Sequence, residues 1–181
     1  MDEGNDKLKD KISFLFDVIK RYDHYIATTN FKVGLMMSFV GAIVIGLTIR
    51  VMSISPVGSG CNYLYYSALL FSALTIILSL SAAINLLRAV FPNTKTHDGD
   101  KSLIFFGDVA TCENGVDGYQ GKVGAASAEQ LLEDLSKQTF IIAEIISEKF
   151  RILKIATGII IYGVVPLLAI SLLLLILDGV K

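Results

Sequence analysis

The residues with the clearest chemical potential lie between positions 102 and 130. The segment Ser102-Leu-Ile-Phe-Phe-Gly-Asp108 combines a hydroxyl, a carboxylate and two aromatic rings, and a glycine-rich stretch follows it. Ser127-Ala-Glu-Gln130 then has the capping-box pattern of a helix N-terminus. Free N–H groups and the helix dipole at such an end suit an anion such as a phosphate. With Tyr119 as a further aromatic and Lys122 as a cation, this region would suit an anionic ligand that carries an aromatic base.

The same residues also fit a purely structural role. The apolar run 103–106 would then be a short strand that packs Phe105 and Phe106 into a small core. Glycine recurs at every third position from Gly115 to Gly124, which indicates a flexible loop. The residues alone leave both interpretations open.

Catalysis has no comparable signal in the sequence. His24 and His97 are far apart and belong to no metal-binding spacing of the HExxH kind, and GxSxG, Walker and GxGxxG motifs do not occur. Cys61 and Cys112 form no CxxC pair. The net charge of −1 argues against a nucleic-acid partner, which would require a basic face. We therefore predict a protein that is not an enzyme and that uses no metal and no cofactor.

The elements that must position residues 102–130 include long stretches without ionisable side chains. Residues 33–49, 51–87 and 155–177 contain no Asp, Glu, Lys, Arg or His. A hydrocarbon core about 30 Å thick is crossed by roughly 20 apolar helical residues, so each stretch predicts a transmembrane helix. We place the spans at about Lys32–Arg50, within Tyr63–Val90 and at Ile155–Leu177, the last bent by Gly158, Gly163 and Pro166.

Two further helices are predicted outside the spans. Apolar residues recur every three or four positions from about Lys7 to Thr28, and again from Ser127 onward without a breaker before the third span. The fold class is therefore an all-α membrane protein with three transmembrane helices, a small cytosolic helical domain and one candidate strand. The predicted division is 1–31, a cytosolic amphipathic helix; 32–91, a transmembrane helical hairpin; 92–154, a cytosolic loop and helix that form the candidate ligand-sensing region; and 155–181, the third transmembrane helix with a short external tail.

Lysine and arginine are distributed unevenly around the spans. Both residue types are frequent before the first span and between the second and third, whereas residues 51–62 contain neither. Because cytoplasmic flanks carry the excess of Lys and Arg, we predict a multi-pass protein of the bacterial inner membrane with a cytosolic N-terminus and an external C-terminus.

Small and polar residues inside the spans suggest helix packing. Gly34, Ser38, Ala42 and Gly46 are spaced four apart, which lets another helix approach closely, either within the protein or in a homo-oligomer. On the second span, two polar faces either bond their own backbone or line a water-filled path. They are formed by Ser72, Thr75 and Ser79, and by Ser81, Asn85 and Arg88.

The order of several short motifs around the spans resembles a known family. The motifs are Arg21-Tyr-Asp-His-Tyr-Ile26, Asn30-Phe-Lys32, Phe105-Phe-Gly-Asp108, Asp134-Leu-Ser-Lys-Gln138 and Glu148-Lys-Phe-Arg151. Together with the three spans, they resemble the transmembrane effectors of Pycsar antiphage systems, in which a pyrimidine cyclase makes cyclic CMP or cyclic UMP. Phe150 stands where that family usually has a tyrosine.

The resemblance implies a function. It implies an antiphage effector that binds cyclic CMP or cyclic UMP through its cytosolic part and impairs inner-membrane integrity, which causes abortive infection. The alternative is a passive membrane scaffold or subunit that docks a cytosolic protein partner. The candidate ligand residues that lie in the motifs are Asp23, Asn30, Lys32, Phe105, Phe106, Asp108, Gln138 and Lys149.

Overall fold

The computed structural model describes residues 2–53, 63–91 and 101–179 of the chain, and these are almost entirely helical. The helices are α1 (Asp2–Met52), α2 (Tyr63–Val90), α3 (Phe106–Ala110), α4 (Gly115–Ala125), α5 (Ala128–Ile159) and α6 (Val165–Gly179), with a π segment (Ile160–Val164) between α5 and α6. No strand occurs in these ranges. The predicted all-α class is therefore confirmed.

The chain forms two compact units. Residues 2–28 and 101–147 belong to the first, here called the polar unit, and residues 29–53, 63–91 and 148–179 belong to the second, the span unit. Helices α1 and α5 each contribute residues to both. Residues 148–154, at the end of the predicted cytosolic region 92–154, group with the spans by their contacts, and the predicted division itself stays a prediction.

Three helices are long and apolar enough to cross a membrane, as predicted. The second span coincides with α2, and the first forms the C-terminal part of the unbroken α1. The third continues from α5 through the π segment into α6, so the uninterrupted rise predicted from Ser127 is also found.

The irregularity in the third span lies just before its proline. Pro166 has no N–H for the carbonyl four residues earlier, and its ring would collide with that carbonyl in a regular helix. The chain answers with the π segment Ile160–Val164, whose wider turn accommodates the missing hydrogen bond. Gly163 lies inside this segment, where a Cβ atom would come 2.9 Å from the Cδ1 atom of Leu78 on α2.

The inward face of α2 has a regular spacing that the hydropathy pattern hides. Its buried residues alternate steps of four and three along the helix, which is the heptad spacing of closely packed helices. All but one are small: Ala68, Ser72, Thr75, Ser79, Ala82, Leu86 and Ala89. Small side chains let neighbouring backbones approach, as is typical of membrane helices.

The small-residue stripe of α1 is exposed in the described part of the chain. Gly34, Ser38, Ala42 and Gly46 are all exposed, and a Cβ atom added at either Gly34 or Gly46 would meet nothing within 4 Å. The buried face of this span is formed by larger side chains, namely Val33, Val40, Ile43 and Leu47. The described residues therefore give the stripe no intramolecular partner, and the homo-oligomer interpretation stays a prediction.

Two local predictions for the region after Lys101 were wrong. Residues 101–105 are irregular and Phe106 begins α3, so the candidate strand is absent. The glycine-rich stretch is not a loop but the helix α4. Its glycines serve tight backbone geometry: Gly115 has φ +58°, and a Cβ atom at Gly118 would collide with the carbonyl oxygen of Glu113.

The contact between Gly163 and Leu78 predicts an asymmetry between two glycines of the third span. Gly163→Val forces the side chain of Leu78 on α2 to shift from its packed position, whereas Gly158→Val has open space at its Cβ. We expect the first change to cost about 1–3 kcal/mol of unfolding free energy, as overpacking usually does. Thermal unfolding of the detergent-purified variants measures this, and equal losses from both would show that the close approach is unimportant.

The exposed stripe of α1 predicts an effect on assembly. A Cβ atom at Gly46 meets nothing within 4 Å in the described part of its own protomer, so Gly46→Leu should still insert, while a close contact with a second copy would be blocked. The oligomer interpretation thus predicts a smaller assembly for Gly46→Leu in cross-linking or light-scattering measurements. Ile45→Leu, at a neighbouring lipid-facing position, is the control; unchanged assembly in both variants would contradict the oligomer seam.

Candidate functional site

A carboxylate on α5 anchors the segment before α3. The Oδ2 atom of Asp134 accepts hydrogen bonds from the backbone N–H of Leu103 at 2.8 Å and the hydroxyl of Ser102 at 3.1 Å. The hydroxyl of Tyr119 on α4 donates to the carbonyl of Leu103 at 2.9 Å. Side chains of α4 and α5 thereby hold a segment that has no regular structure of its own.

The motif Phe105-Phe-Gly-Asp108 is built around this anchored segment. Asp108 accepts a hydrogen bond from the backbone N–H of Ser102 at 2.9 Å, which indicates a structural role for this predicted ligand residue. The rings of Phe105 and Phe106 are in contact, with centroids 4.8 Å apart. A Cβ atom at Gly107 would meet the ring of Phe105, so glycine lets that ring fold over the start of α3. Phe106 is 74% exposed and Phe105 half-buried, so the ring of Phe106 does not fill a core.

The N-terminus of α5 is occupied by its own cap. The backbone N–H of Ser127 donates to Oε1 of Gln130 at 2.8 Å, and the N–H of Gln130 donates to the hydroxyl of Ser127 at 3.2 Å. This reciprocal pair is the predicted capping box. Because the cap uses a donor that a phosphate would need, the helix end is a poorer anion site than its sequence suggested.

A shallow depression on α5 brings together groups that suit a nucleotide. It is lined by Ser136, Lys137, Phe140 and Ile141, and Phe140 is 65% exposed. Lys137 forms an ion pair with Glu133 at 2.8 Å. The hydrogen bond from this ammonium, with its charge, lowers the pKa of Glu133 below the usual carboxyl value. A hydroxyl, a cation and an aromatic face therefore share one turn of helix.

In the span unit, a lysine is buried, and its hydrogen-bond acceptors among the described residues are neutral. Lys149 is 6% exposed, and its ammonium donates to Oδ1 of Asn30 at 3.3 Å and to the carbonyl of Val90 at 3.2 Å. Burial lowers the pKa of Lys149, which precedes the predicted third span. Val90 ends α2, and the partial negative charge at a helix C-terminus stabilises a cation. This Lys149 clamp joins α1, α2 and α5.

The predicted ligand residues are therefore divided between the units. Asp23, Phe105, Phe106, Asp108 and Gln138 belong to the polar unit, and Asn30, Lys32 and Lys149 belong to the span unit. Of these, Asp23 and Lys32 are exposed and Gln138 is half-buried. Within the span unit, Asn30 and Lys149 are brought into contact. Among the residues the structure describes, no group of three His, Cys, Asp or Glu side chains has the arrangement of a metal site.

The comparison with known proteins decides the family. The sequence model of the family described as "Pycsar effector protein domain" matches residues 14–176. The chain belongs to the Pycsar effector family. It is also 31% identical over 150 residues to the Pycsar effector protein EcPycTM of Escherichia coli, and the match covers 80% of each chain. No solved structure matches the chain significantly.

Family membership fixes the general role. The protein is an antiphage defence effector with transmembrane helices, and it acts downstream of the cyclase of such a system. The family predicted from the order of the motifs is thus confirmed.

Sequence reasoning missed several of the residues that build these features. Asp134 lay in a quoted motif but not among the candidates, and its partner Ser102 is 32 positions away, beyond any local pattern. Phe140 was also missed, although its spacing of four from Ser136 places both on one helical face. That spacing was a usable signal.

The Lys149 clamp predicts that a carboxylate at position 30 tightens the span unit. Asn30→Asp would replace the amide that accepts from the Lys149 ammonium by a carboxylate and so form an ion pair. Asn30→Ala would remove this acceptor. We expect shifts on the order of 1 kcal/mol, stabilising for the first and destabilising for the second. Thermal unfolding in detergent measures both.

The control is a double-mutant cycle with Lys149→Met. In that background the effect of Asn30→Asp should vanish. The same stabilisation with and without the lysine would mean that position 30 acts through another group.

Proposed function

We propose that this effector binds a cyclic pyrimidine mononucleotide, cyclic CMP or cyclic UMP, through its polar unit and then impairs the inner membrane. The N-terminus and the polar unit lie in the cytosol, and the C-terminus lies outside. The Lys and Arg distribution supports this orientation. An intracellular messenger reaches the polar unit only in that arrangement.

The observation that carries the proposal is the depression on α5. Phe140 offers a face for stacking on the pyrimidine, and Lys137 a positive charge for the phosphate. The hydroxyl of Ser136 donates to the carbonyl of Leu132 at 2.8 Å, and its oxygen can still accept a hydrogen bond from a ribose hydroxyl. The ion pair with Glu133 is exposed and therefore weak, so an anionic ligand can replace that carboxylate at little cost. Gln138, a predicted ligand residue, belongs to the motif Asp134-Leu-Ser-Lys-Gln138, which also contains Ser136 and Lys137.

Binding on α5 would bias the membrane part because this helix contributes to both units. The depression lies about two turns before the residues of α5 that belong to the span unit. To convert an assembly from about 1% to about 99% active, the ligand must favour the active state by roughly 5.5 kcal/mol per switching unit. One charge-assisted phosphate contact and one stacked base in each of several copies supply a free energy of that order.

The direct test uses the purified full-length protein in dye-filled liposomes of bacterial lipid. Cyclic CMP or cyclic UMP should release the dye, whereas cyclic AMP and linear CMP should not. Calorimetry on the same sample should detect binding of the active nucleotide. Absence of both leakage and binding, together with a soluble protein that co-purifies in stoichiometric amount, would favour the scaffold alternative.

The position of the ligand predicts unequal effects of two exposed phenylalanines. Phe140→Ala should weaken nucleotide binding by about tenfold or more, because a stacked base contributes roughly 1–3 kcal/mol. Phe106→Ala is the matched control, since it removes an equally exposed ring from α3. Calorimetry on both variants measures the two binding constants. Loss of binding only in Phe106→Ala would instead place the ligand site beside Phe106 on α3.

A further inference from the structure

Four hydroxyl-bearing side chains are completely buried in the span unit. Ser72, Thr75 and Ser79 on α2 and Ser171 on α6 each have 0% exposure. The hydroxyl oxygens of Thr75 and Ser171 lie 3.2 Å apart, so this polar line runs between the two helices. We call these four residues the hydroxyl seam.

Hydrogen bonding within the seam is incomplete. Thr75 donates to the carbonyl of Phe71 at 2.8 Å, and Ser171 donates to that of Leu167 at 2.7 Å. The hydroxyl oxygens of Ser72 and Ser79 are fully buried, and no partner within the described part of the chain reaches them. A buried hydroxyl without a partner is costly, and a native protein that keeps one usually has a use for it.

Other serines of the spans satisfy their hydroxyls locally. Ser38 on the exposed face of α1 bonds the carbonyl of Gly34, and Ser67 on α2 bonds that of Leu64. A helical serine therefore readily satisfies itself through its own backbone. Ser72 and Ser79 instead have oxygens available to a molecule that is not part of the closed bundle.

Apolar clusters flank the seam along α2. Ala82, Leu86 and Ala89 join one cluster with Val33 and Ile160, and Ala68 joins the other with Leu47. Ser72 and Ser79 lie between these ends and are about 10 Å apart along the helix axis, roughly a third of the hydrocarbon thickness. The seam is thus a polar stretch sealed at both ends.

We propose that the hydroxyl seam is the wall of the aqueous path that opens in the active effector, and that it passes water and small monovalent ions. Separation of α2 from α6 exposes these hydroxyls, because the fully buried positions of α2 between Ala68 and Ala82 are Ser72, Thr75 and Ser79. Ile76 and Leu78 flank them and are partly buried against the second apolar cluster. Water then supplies the hydrogen bonds that Ser72 and Ser79 lack. The outer face of α2 remains apolar toward lipid through Leu70, Ile77, Leu80 and Ile84.

This inference rests on the proposed membrane impairment and specifies where it occurs. Single cysteines are introduced by Ser72→Cys or Ser79→Cys in the full-length chain after Cys61→Ser and Cys112→Ser. Ile77→Cys, on the lipid-facing side of the same helix, is the matched control. Each variant is placed in liposomes, and a membrane-impermeant, charged methanethiosulfonate is added with and without cyclic CMP or cyclic UMP.

We expect the reagent to label Ser72→Cys and Ser79→Cys only when the nucleotide opens the membrane, and Ile77→Cys in neither state. Leakage with neither seam position labelled would overturn the seam while leaving the membrane activity standing. Absence of leakage in the unsubstituted protein with either nucleotide would overturn the proposed function, and the seam with it.

A charged group attached to a cysteine in the hydroxyl seam should change the ion selectivity of the path, which a folding defect cannot imitate. The reagent acts after the protein has assembled, so a cationic and an anionic methanethiosulfonate can be compared on the same Ser79→Cys sample. In a planar bilayer with a salt gradient, the two should shift the reversal potential in opposite directions, toward anion and cation selectivity respectively. Identical reversal potentials after complete labelling would exclude Ser79 from the path.

Discussion

Hydrocarbon offers no hydrogen bonds, so every polar group of a spanning segment must find its partner within the protein. This constraint makes the spans helical, and it explains the π segment, where Pro166 would otherwise leave a carbonyl of the third span without its usual donor. The same constraint makes serine and threonine inside a span turn to their own backbone, as Thr75 and Ser171 do. Against that background, the oxygens of Ser72 and Ser79 are the exception. Buried hydroxyls without hydrogen-bond partners destabilise the closed state of a membrane bundle relative to a state in which water enters.

The sequence predicted the spans well because spanning depends on a one-dimensional property, the length of an uncharged run. α2 has the bounds Tyr63–Val90 within which the second span was placed, and α5 passes through the π segment into the third span as expected. The packing partner of the small-residue stripe on α1 could not be predicted, for a different reason. Small residues spaced four apart show that a close approach is allowed, but they do not identify the partner, and the buried face of α1 carries Val33 and Val40 instead. The heptad spacing on α2 was visible in the sequence, but hydropathy conceals it because both faces of that helix are uncharged.

The polar unit was harder to predict because its structure depends on contacts between distant residues. Glycines at every third position are typical of a flexible loop, yet Gly118 is needed for the close approach to Glu113 that lets α4 begin where it does. Likewise, the candidate strand is absent because Asp134, about thirty residues later, binds the backbone of Leu103 and holds the segment in an irregular form. Of the candidate ligand residues, Asp108 bonds the backbone of Ser102, whereas Phe106 is exposed as a ligand-binding ring must be. Local chemistry was therefore predictable, and its division between structural and binding roles was not.

An effector of this kind must stay silent until infection, yet respond to a ligand whose binding supplies only a few kcal/mol. The closed span unit suits that requirement because its two apolar clusters provide cohesion while its polar groups oppose it. Among the described residues, the ammonium of Lys149 is held by neutral acceptors, which compensate a buried charge less well than a carboxylate would. The seam adds two hydroxyls without partners. A bundle with every polar group satisfied would be more stable closed, and the same ligand would then be too weak to open it. Under the proposed function, the incomplete polar contacts would lower the free-energy gap that nucleotide binding has to overcome.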